Sequence, residues 1–179
     1  MKINKNGFWE GEASKFHKHD ESLCNALVKF FKDKIVYDLG CGQGEYVKSF
    51  NKVNIFTMGM DGNPKTKEIK NCFVFDLTKP LDISAFDWVL SLEVGEHIPK
   101  ELCQNYIDNL KNLNKEGIVL SWAIPGQGGD GHVNELPNED VIAMFPEYTY
   151  DVEASLYLRS KSALWWFKNT IMVFRKNQD

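Results

Sequence analysis

Arginine is almost missing from this chain. Arg159 and Arg175 are the only two, and the remaining positive charge is lysine spread along the sequence. Lys and Arg total 21 against 25 Asp and Glu, for a formal charge of −4. No basic stripe of the kind that grips a phosphate backbone is present, which argues against a nucleic-acid partner. No apolar run approaches the roughly 20 residues of a membrane span, so none is expected. The first residues, Met1 to Gly7, place no apolar stretch behind their lysines. A secretory leader is therefore not expected, and a cytoplasmic location is. The four cysteines, Cys24, Cys41, Cys72 and Cys103, are scattered and form no C-x-x-C pair. They read as small buried apolar side chains of a reducing compartment, not as a disulfide framework or a zinc site. Internal repeats and low-complexity linkers are absent too.

What is present is an ordinary globular balance, 43% hydrophobic and 26% charged over 179 residues. That length is expected to form one domain, 1–179, with a core of useful size. Residues 20–32 carry Leu23, Leu27, Val28, Phe30 and Phe31 near helical spacing, with Asp20 or Ser22 as a cap. Short apolar runs at 35–39, 53–60, 72–75, 86–92 and 118–124 predict strands. Between them, 44–50, 63–70 and 99–114 predict helical segments, the last opened by Pro99. Strand–helix alternation means a parallel sheet in an α/β fold. The tail breaks the pattern: 146–158 and 168–175 read as two strands without a crossover helix, which predicts an antiparallel ending. In such a sheet, ligands bind at the C-terminal edge of the strands. Asp38, Gly40, Asp61, Asp76, Glu93 and His132 would meet there.

The strongest motif is Tyr37-Asp38-Leu39-Gly40-Cys41-Gly42-Gln43-Gly44-Glu45, a strand entering three glycines and a helix. Glycines allow a tight turn and a close ligand approach. The spacing is G-x-G-x-G, not the G-x-G-x-x-G of dinucleotide sites. Asp38 would repel a pyrophosphate but suits an ammonium or sulfonium cation. About 20 residues on, Asp61 ends the second strand, where a carboxylate can accept both ribose hydroxyls. Nicotinamide enzymes use the same device, so Asp61 alone does not choose the ligand. After the fourth strand, Ser91-Leu92-Glu93-Val94-Gly95-Glu96-His97-Ile98-Pro99 holds an E-x-x-E-H spacing. On one side of a helical turn, two carboxylates and an imidazole could hold a divalent metal. After the fifth strand, the loop 125–137 carries four glycines with His132 and Asn134. A neutral imidazole there can serve as a base at neutral pH, or His132 can be a fourth metal ligand.

Taken together, these motifs resemble the class I S-adenosylmethionine-dependent methyltransferases over about residues 20–175. The resemblance rests on D-L-G-C-G-Q-G at 38–44, Asp61, Phe75-Asp76-Leu77 and S-L-E-V-G-E-H-I-P at 91–99. The last segment is similar to the small-molecule O-methyltransferases of the ubiquinone-pathway branch. It is not the D-P-P-Y or N-P-P-Y of enzymes that methylate amino groups of DNA bases. The resemblance implies a doubly wound, Rossmann-like sheet of seven mostly parallel strands with the last antiparallel. It implies S-adenosylmethionine held by Asp38, Gly40, Cys41, Gly42, Gly44, Asp61, Gly62, Asp76, Leu77 and Leu92, with Asp76 receiving the adenine amino group. It implies His132, His97 and Glu93 as the acid–base group, or a divalent metal such as Mg on Glu93, Glu96, His97 and His132. Residues 1–30, with Phe8-Trp9-Glu10 and Phe16-His17-Lys18-His19, would form a lid and a helix. Trp165-Trp166-Phe167 is read as core or interface, with a substrate wall as the alternative. The expected activity is O-methylation of a small polar acceptor: a sugar, a phosphorylated metabolite or a surface-polysaccharide precursor, by a monomer or homodimer. The alternatives are an N-, RNA- or protein methyltransferase, a non-catalytic binding subunit, and a nicotinamide-dependent oxidoreductase.

Overall fold

The computed structural model describes residues 2–11 and 17–177; Phe16 lies outside them. Its centre is a seven-stranded sheet. A two-stranded hairpin of β1 (Lys2–Ile3) and β2 (Trp9–Glu10) precedes it, followed by α1 (Glu21–Phe30). The sheet strands and their partners then run β3 (Val36–Leu39), α2 (Glu45–Lys52), β4 (Thr57–Asp61), a 3-10 turn at Pro64–Glu68 and β5 (Cys72–Val74). They continue with β6 (Phe86–Leu92), 3-10 turns at Gly95–His97 and Lys100–Leu102, α3 (Cys103–Asn112) and β7 (Asn114–Ser121). The chain finishes with α4 (Asn138–Ala143), β8 (Tyr148–Tyr150), α5 (Val152–Lys161), α6 (Phe167–Thr170) and β9 (Met172–Lys176).

The strand order is β5-β4-β3-β6-β7-β9-β8, with β9 antiparallel to both neighbours and the other pairs parallel. Every residue of β3 is buried, as a strand covered on both faces must be. Alternation along the strands sorts the core into two layers. Tyr37, Leu39, Val89, Ile118, Leu120, Met172 and Phe174 face α3 and α4 together with Tyr106, Leu110 and Phe145. Val36, Trp88, Leu90, Val119 and Val173 face α1, α5 and α6 together with Leu23, Leu27, Leu158 and Phe167. This is the doubly wound arrangement, and the antiparallel last strand is present as expected.

The tail differs from expectation inside that frame. Only 148–150 is strand in the region read as 146–158; residues 152–161 are helical. The alternation Tyr148, Tyr150, Val152 mimics a longer strand, but Asp151 stops it. Its carboxylate accepts from Ala154 N at 2.9 Å and from Arg175 Nε at 2.6 Å, capping α5 and tying it to β9. The fifth strand also begins earlier than read, at Asn114. Asp20 caps α1 through Leu23 N at 2.9 Å, and its other oxygen takes Ala163 N and Leu164 N at 2.7 and 2.9 Å. One buried carboxylate thus joins the start of the fold to the segment before α6.

Candidate active site

The C-terminal ends of β3, β4, β6 and β7 open into one cleft of about 510 Å³. Asp38, Gly40, Cys41, Asp61, Gly62, Asp76, Leu77, Leu92, Glu93, His97 and His132 all line it. Most of the residues singled out in the sequence are therefore brought together, because parallel strands deliver their last residues to one edge. Gly42 and Gly44 sit elsewhere. Gly42 N donates to Asp61 Oδ2 at 3.0 Å and borders a second hollow. Gly44, with φ +67, precedes α2 and backs onto Ile69 and Cys72. The Cys41 thiol meets that of Cys72 beneath Gly59. Gly40, at φ +82, lies against the Val94 side chain, and a Cβ there would collide with it. That contact draws the ends of β3 and β6 together.

The carboxylates of this edge fall into two electrostatic groups. Asp61 is raised by burial, an effect opposed by the N–H groups of Asn63 and Gly42. Burial also raises Asp76, but bonds from Thr78 and Asn6 outweigh it and leave the group below the usual carboxylate value. Glu93 is raised by burial, opposed by Ser121 Oγ at 2.9 Å and Gln127 Nε2 at 2.5 Å. Asp38 and Glu96 have less support. Asp38 is 3% exposed, its Oδ2 has no hydrogen-bond partner among the described residues, and burial pushes it well above the usual value. Glu96 is fully buried, neither oxygen is bonded in ordinary geometry among the described residues, and burial followed by the nearby Glu93 charge pushes it well up.

The E-x-x-E-H segment does not form one helical face. Glu93 has φ +55, outside the turn at Gly95–His97. Its carboxylate is drawn to Ser121 and Gln127 instead. Glu96, His97 and His132 do converge, with one ligand atom of each within 4.8 Å of the others; Glu93 is not in that group. His97 Nδ1 lies 3.2 Å from the Gly131 carbonyl, which can only accept, so Nδ1 carries the proton and Nε2 is bare. Burial, then the charge of His132, lowers His97 to about 4, so it is neutral at pH 7. The His132 ring stands edge-on to it with centroids 4.9 Å apart.

The glycine loop is closed by specific bonds. Val133 N and Asn134 N donate to the Glu96 carbonyl at 2.9 and 3.0 Å, and Trp122 Nε1 to the Asn134 carbonyl at 2.7 Å. Glu135 accepts His132 Nδ1 at 2.9 Å and the N–H groups of Gly126 and Gly128, both at 2.8 Å.

The N-terminal hairpin lies across the cleft. Asn6 Nδ2 donates to Asp76 Oδ2 at 2.6 Å, the Phe8 ring packs on Gly62, and Gly7 sits against the His97 carbonyl. Trp9 presents its ring to His97 at 5.7 Å and to His17 at 5.3 Å. Sequence reasoning gave no role to Asn6, Gln127 or Glu135, nor to Tyr46, which also lines the cleft. The cleft is also bordered by Trp165 and Trp166; Trp165 is 54% exposed, so it is not core. Only the H-x-x-E spacing from His132 to Glu135 was a usable signal; the others depend on contacts distant in sequence.

No family model matches the sequence, and no curated protein aligns with it. Solved structures do resemble it in fold. The magnesium protoporphyrin IX methyltransferase of Synechocystis PCC 6803, with bound S-adenosylhomocysteine, superposes with a TM-score of 0.63 at 16% identity, covering 86% of this chain and 82% of that one. The 1,6-didemethyltoxoflavin N1-methyltransferase of Burkholderia thailandensis, also holding S-adenosylhomocysteine, gives 0.60 at 13% identity, covering 89% and 80%. The methyltransferase domain of a bacterial CtHen1-C gives 0.60 at 17% identity, covering 87% and 97%. The chain therefore has the fold of S-adenosylmethionine-dependent methyltransferases. Among the described residues, no helix is long and apolar enough to cross a membrane.

Proposed function

We propose that this protein, acting as one domain over 1–179, transfers a methyl group from S-adenosylmethionine to an oxygen of a small polar acceptor. The observation that carries the reading is Asp38: a buried carboxylate at the cleft with an oxygen that no described residue partners. A buried unpaired carboxylate is costly unless a cation meets it, and the ammonium of the donor's methionine moiety is such a cation. Asp61 suits the ribose hydroxyls, and Asp76 with the Leu77 N–H suits the adenine edge. Bound there, the donor supplies an electrophilic methyl: its C–S bond breaks with the electron pair left on sulfur, and the acceptor oxygen exchanges its proton for the methyl. The chain's part is alignment, exclusion of water and reception of that proton.

His132 and His97 are the proton acceptors that the geometry favours, each with Nδ1 engaged and Nε2 bare. Both border the cleft. Oxygen acceptors need such a base, which favours O- over N-methylation. The hairpin 2–11 acts as the lid, and Trp165 with Gln127 lines the acceptor side. Titration calorimetry with S-adenosylhomocysteine and with NAD tests the donor assignment. Binding of NAD alone would sink it, and binding without turnover over an acceptor panel would favour a non-catalytic subunit.

A second reading adds a divalent metal, supported by the unpartnered Glu96 beside His97 and His132. The donor set fits a cation: the second nitrogen of each imidazole is already hydrogen-bonded, as metal-bound histidines require. Glu96, His97 Nε2 and His132 Nε2 would hold it, and Glu93 would stay outside. Two nitrogens and one oxygen suit Zn, Mn or Fe better than Mg, which prefers oxygen. Such an ion would lower the pKa of an acceptor hydroxyl. Thermal melting with each metal and with EDTA decides it; no shift with any metal removes this reading.

A further inference from the structure

Glu135 lies three residues beyond His132, on the far side of the imidazole from Glu96. Its Oε1 accepts His132 Nδ1 at 2.9 Å and Gly128 N at 2.8 Å, while its Oε2 accepts Gly126 N at 2.8 Å. Both Glu135 oxygens accept from backbone N–H groups, which is the geometry of a carboxylate anion. An ionised carboxylate has no proton to give. The shared hydrogen is therefore on Nδ1, and the neutral form of the ring has a bare Nε2. That nitrogen lies 4.0 Å from Glu96 Oε1, beyond hydrogen-bond range, and His132 borders the cleft.

The ring plane is fixed as well. His132 lies over Gly129, whose φ is +155, and a Cβ at 129 would overlap the imidazole. The ring is thus held between a glycine surface and a carboxylate that also ties down the two glycine N–H groups before it. Free imidazole has no such constraint, and which nitrogen carries the proton is set by the partner of the other.

We propose that Glu135 is the positioning residue of His132: it selects the Nδ1–H form and turns Nε2 towards the acceptor subsite. This deepens the reading of His132 as the base and rests on it only for its catalytic consequence. Glu135 acts through His132 and touches no reacting atom. The same bond would serve if Nε2 met a metal, since either role needs a bare Nε2.

The test is ¹⁵N NMR of the intact protein labelled at histidine, at about pH 8.5, where free imidazole is neutral. There are four histidines, and His132→Ala identifies the signal that matters. The wild type is expected to show His132 as neutral Nδ1–H. Glu135→Ala is expected to move the proton to Nε2, and Glu135→Gln, whose side-chain oxygen still accepts, to keep it on Nδ1. A wild-type ring protonated on Nε2, or on both nitrogens, overturns the proposal. So does an Nδ1–H form that persists in Glu135→Ala. The wild-type spectrum decides the matter even if Glu135→Ala fails to fold. None of these readings needs an acceptor. An Nδ1–H spectrum together with wild-type turnover by His132→Ala would refute the base and leave the positioning intact.

Discussion

Replacing Asp38 with Asn tests the donor site at its most exposed assumption. The side chain keeps its shape and loses its charge. If the carboxylate meets the ammonium of S-adenosylhomocysteine, the variant loses a hydrogen bond between charged groups, about 1.5–3 kcal/mol. At 1.4 kcal/mol per tenfold, the dissociation constant should rise roughly 10- to 140-fold. The ligand-free protein should respond in the opposite sense. Burial raises Asp38 well above its usual value, first by desolvation and then through Cys72 and Asp61. Below the unfolded value near 4, both states hold the proton and there is no penalty. As pH rises through that value, the unfolded chain ionises while the folded chain resists, and stability falls until the folded value is reached. Asp38→Asn removes that penalty. It should melt with the wild type near pH 4 and above it at pH 7, by about 1–3 kcal/mol for an unsatisfied buried group. A chain of this size converts each kcal/mol into about 2–4 °C. Binding should also release a proton in the wild type, seen as a buffer-dependent calorimetric heat that Asp38→Asn lacks. Equal affinity in the two proteins, or a melting gap that does not change between pH 4 and 7, would refute the reasoning.

Asp61→Ala should weaken S-adenosylhomocysteine by about 1.5–3 kcal/mol, measured by calorimetry on folded protein. Gly42→Val should do at least as much, because Gly42 has φ +52 and the His17 ring occupies the space of a Cβ. Asn6→Ala should strengthen the same ligand, up to about tenfold for 1.4 kcal/mol, since Asn6 holds the Asp76 oxygen expected to receive adenine; weaker binding would show that the hairpin clasps the ligand instead of competing with it. His132→Ala should lower kcat by about 10²–10⁴-fold with donor affinity nearly unchanged. Turnover at the wild-type rate with a true acceptor would move the role to His97 or a metal.

Most of the fold was legible because its signals are local. The runs at 35–39, 72–75 and 86–92 fall on β3, β5 and β6, and the alternation of strand and helix forced a parallel sheet. The tail was misread where local signals conflict. Val152 continues the alternation of Tyr148 and Tyr150, and α5 buries only Ser155 and Leu158, so no apolar stripe announces a helix. The deciding feature is the Asp151 cap, which reads as helix start only if Ala154 is taken as its donor. The N-terminal hairpin was beyond local reading for another reason. The Asn6–Asp76 bond joins residues 70 apart in sequence, and nothing in the Asn4 to Gly7 turn advertises an acidic partner.

At the site, the sequence told where charge gathers but not where it is already balanced. Five carboxylates, Asp38, Asp61, Asp76, Glu93 and Glu96, were placed at one edge by motif and topology alone. Nothing in the sequence says which of them finds hydrogen-bond donors. In the fold, Asp61 takes two backbone N–H groups, Asp76 takes Thr78 and Asn6, and Glu93 takes Ser121 and Gln127. Asp38 and Glu96 are the most deeply buried of the five, and each leaves carboxylate oxygen unpartnered among the described residues. Folding places both where an anion is disfavoured. The E-x-x-E-H spacing suggested that Glu93 and Glu96 act alike; the left-handed Glu93 backbone separates them, giving one a hydrogen-bonding role beside Gln127 and leaving the other open. The unbalanced pair marks the two places where a positive group would stabilise the folded chain: Asp38, for the ammonium of a donor, and Glu96, for a cation beside two imidazoles. A ligand at either should lower the carboxylate's pKa and raise the melting temperature. The two are separable, since Asp38→Asn should shrink the melting shift given by S-adenosylhomocysteine and spare any given by a metal.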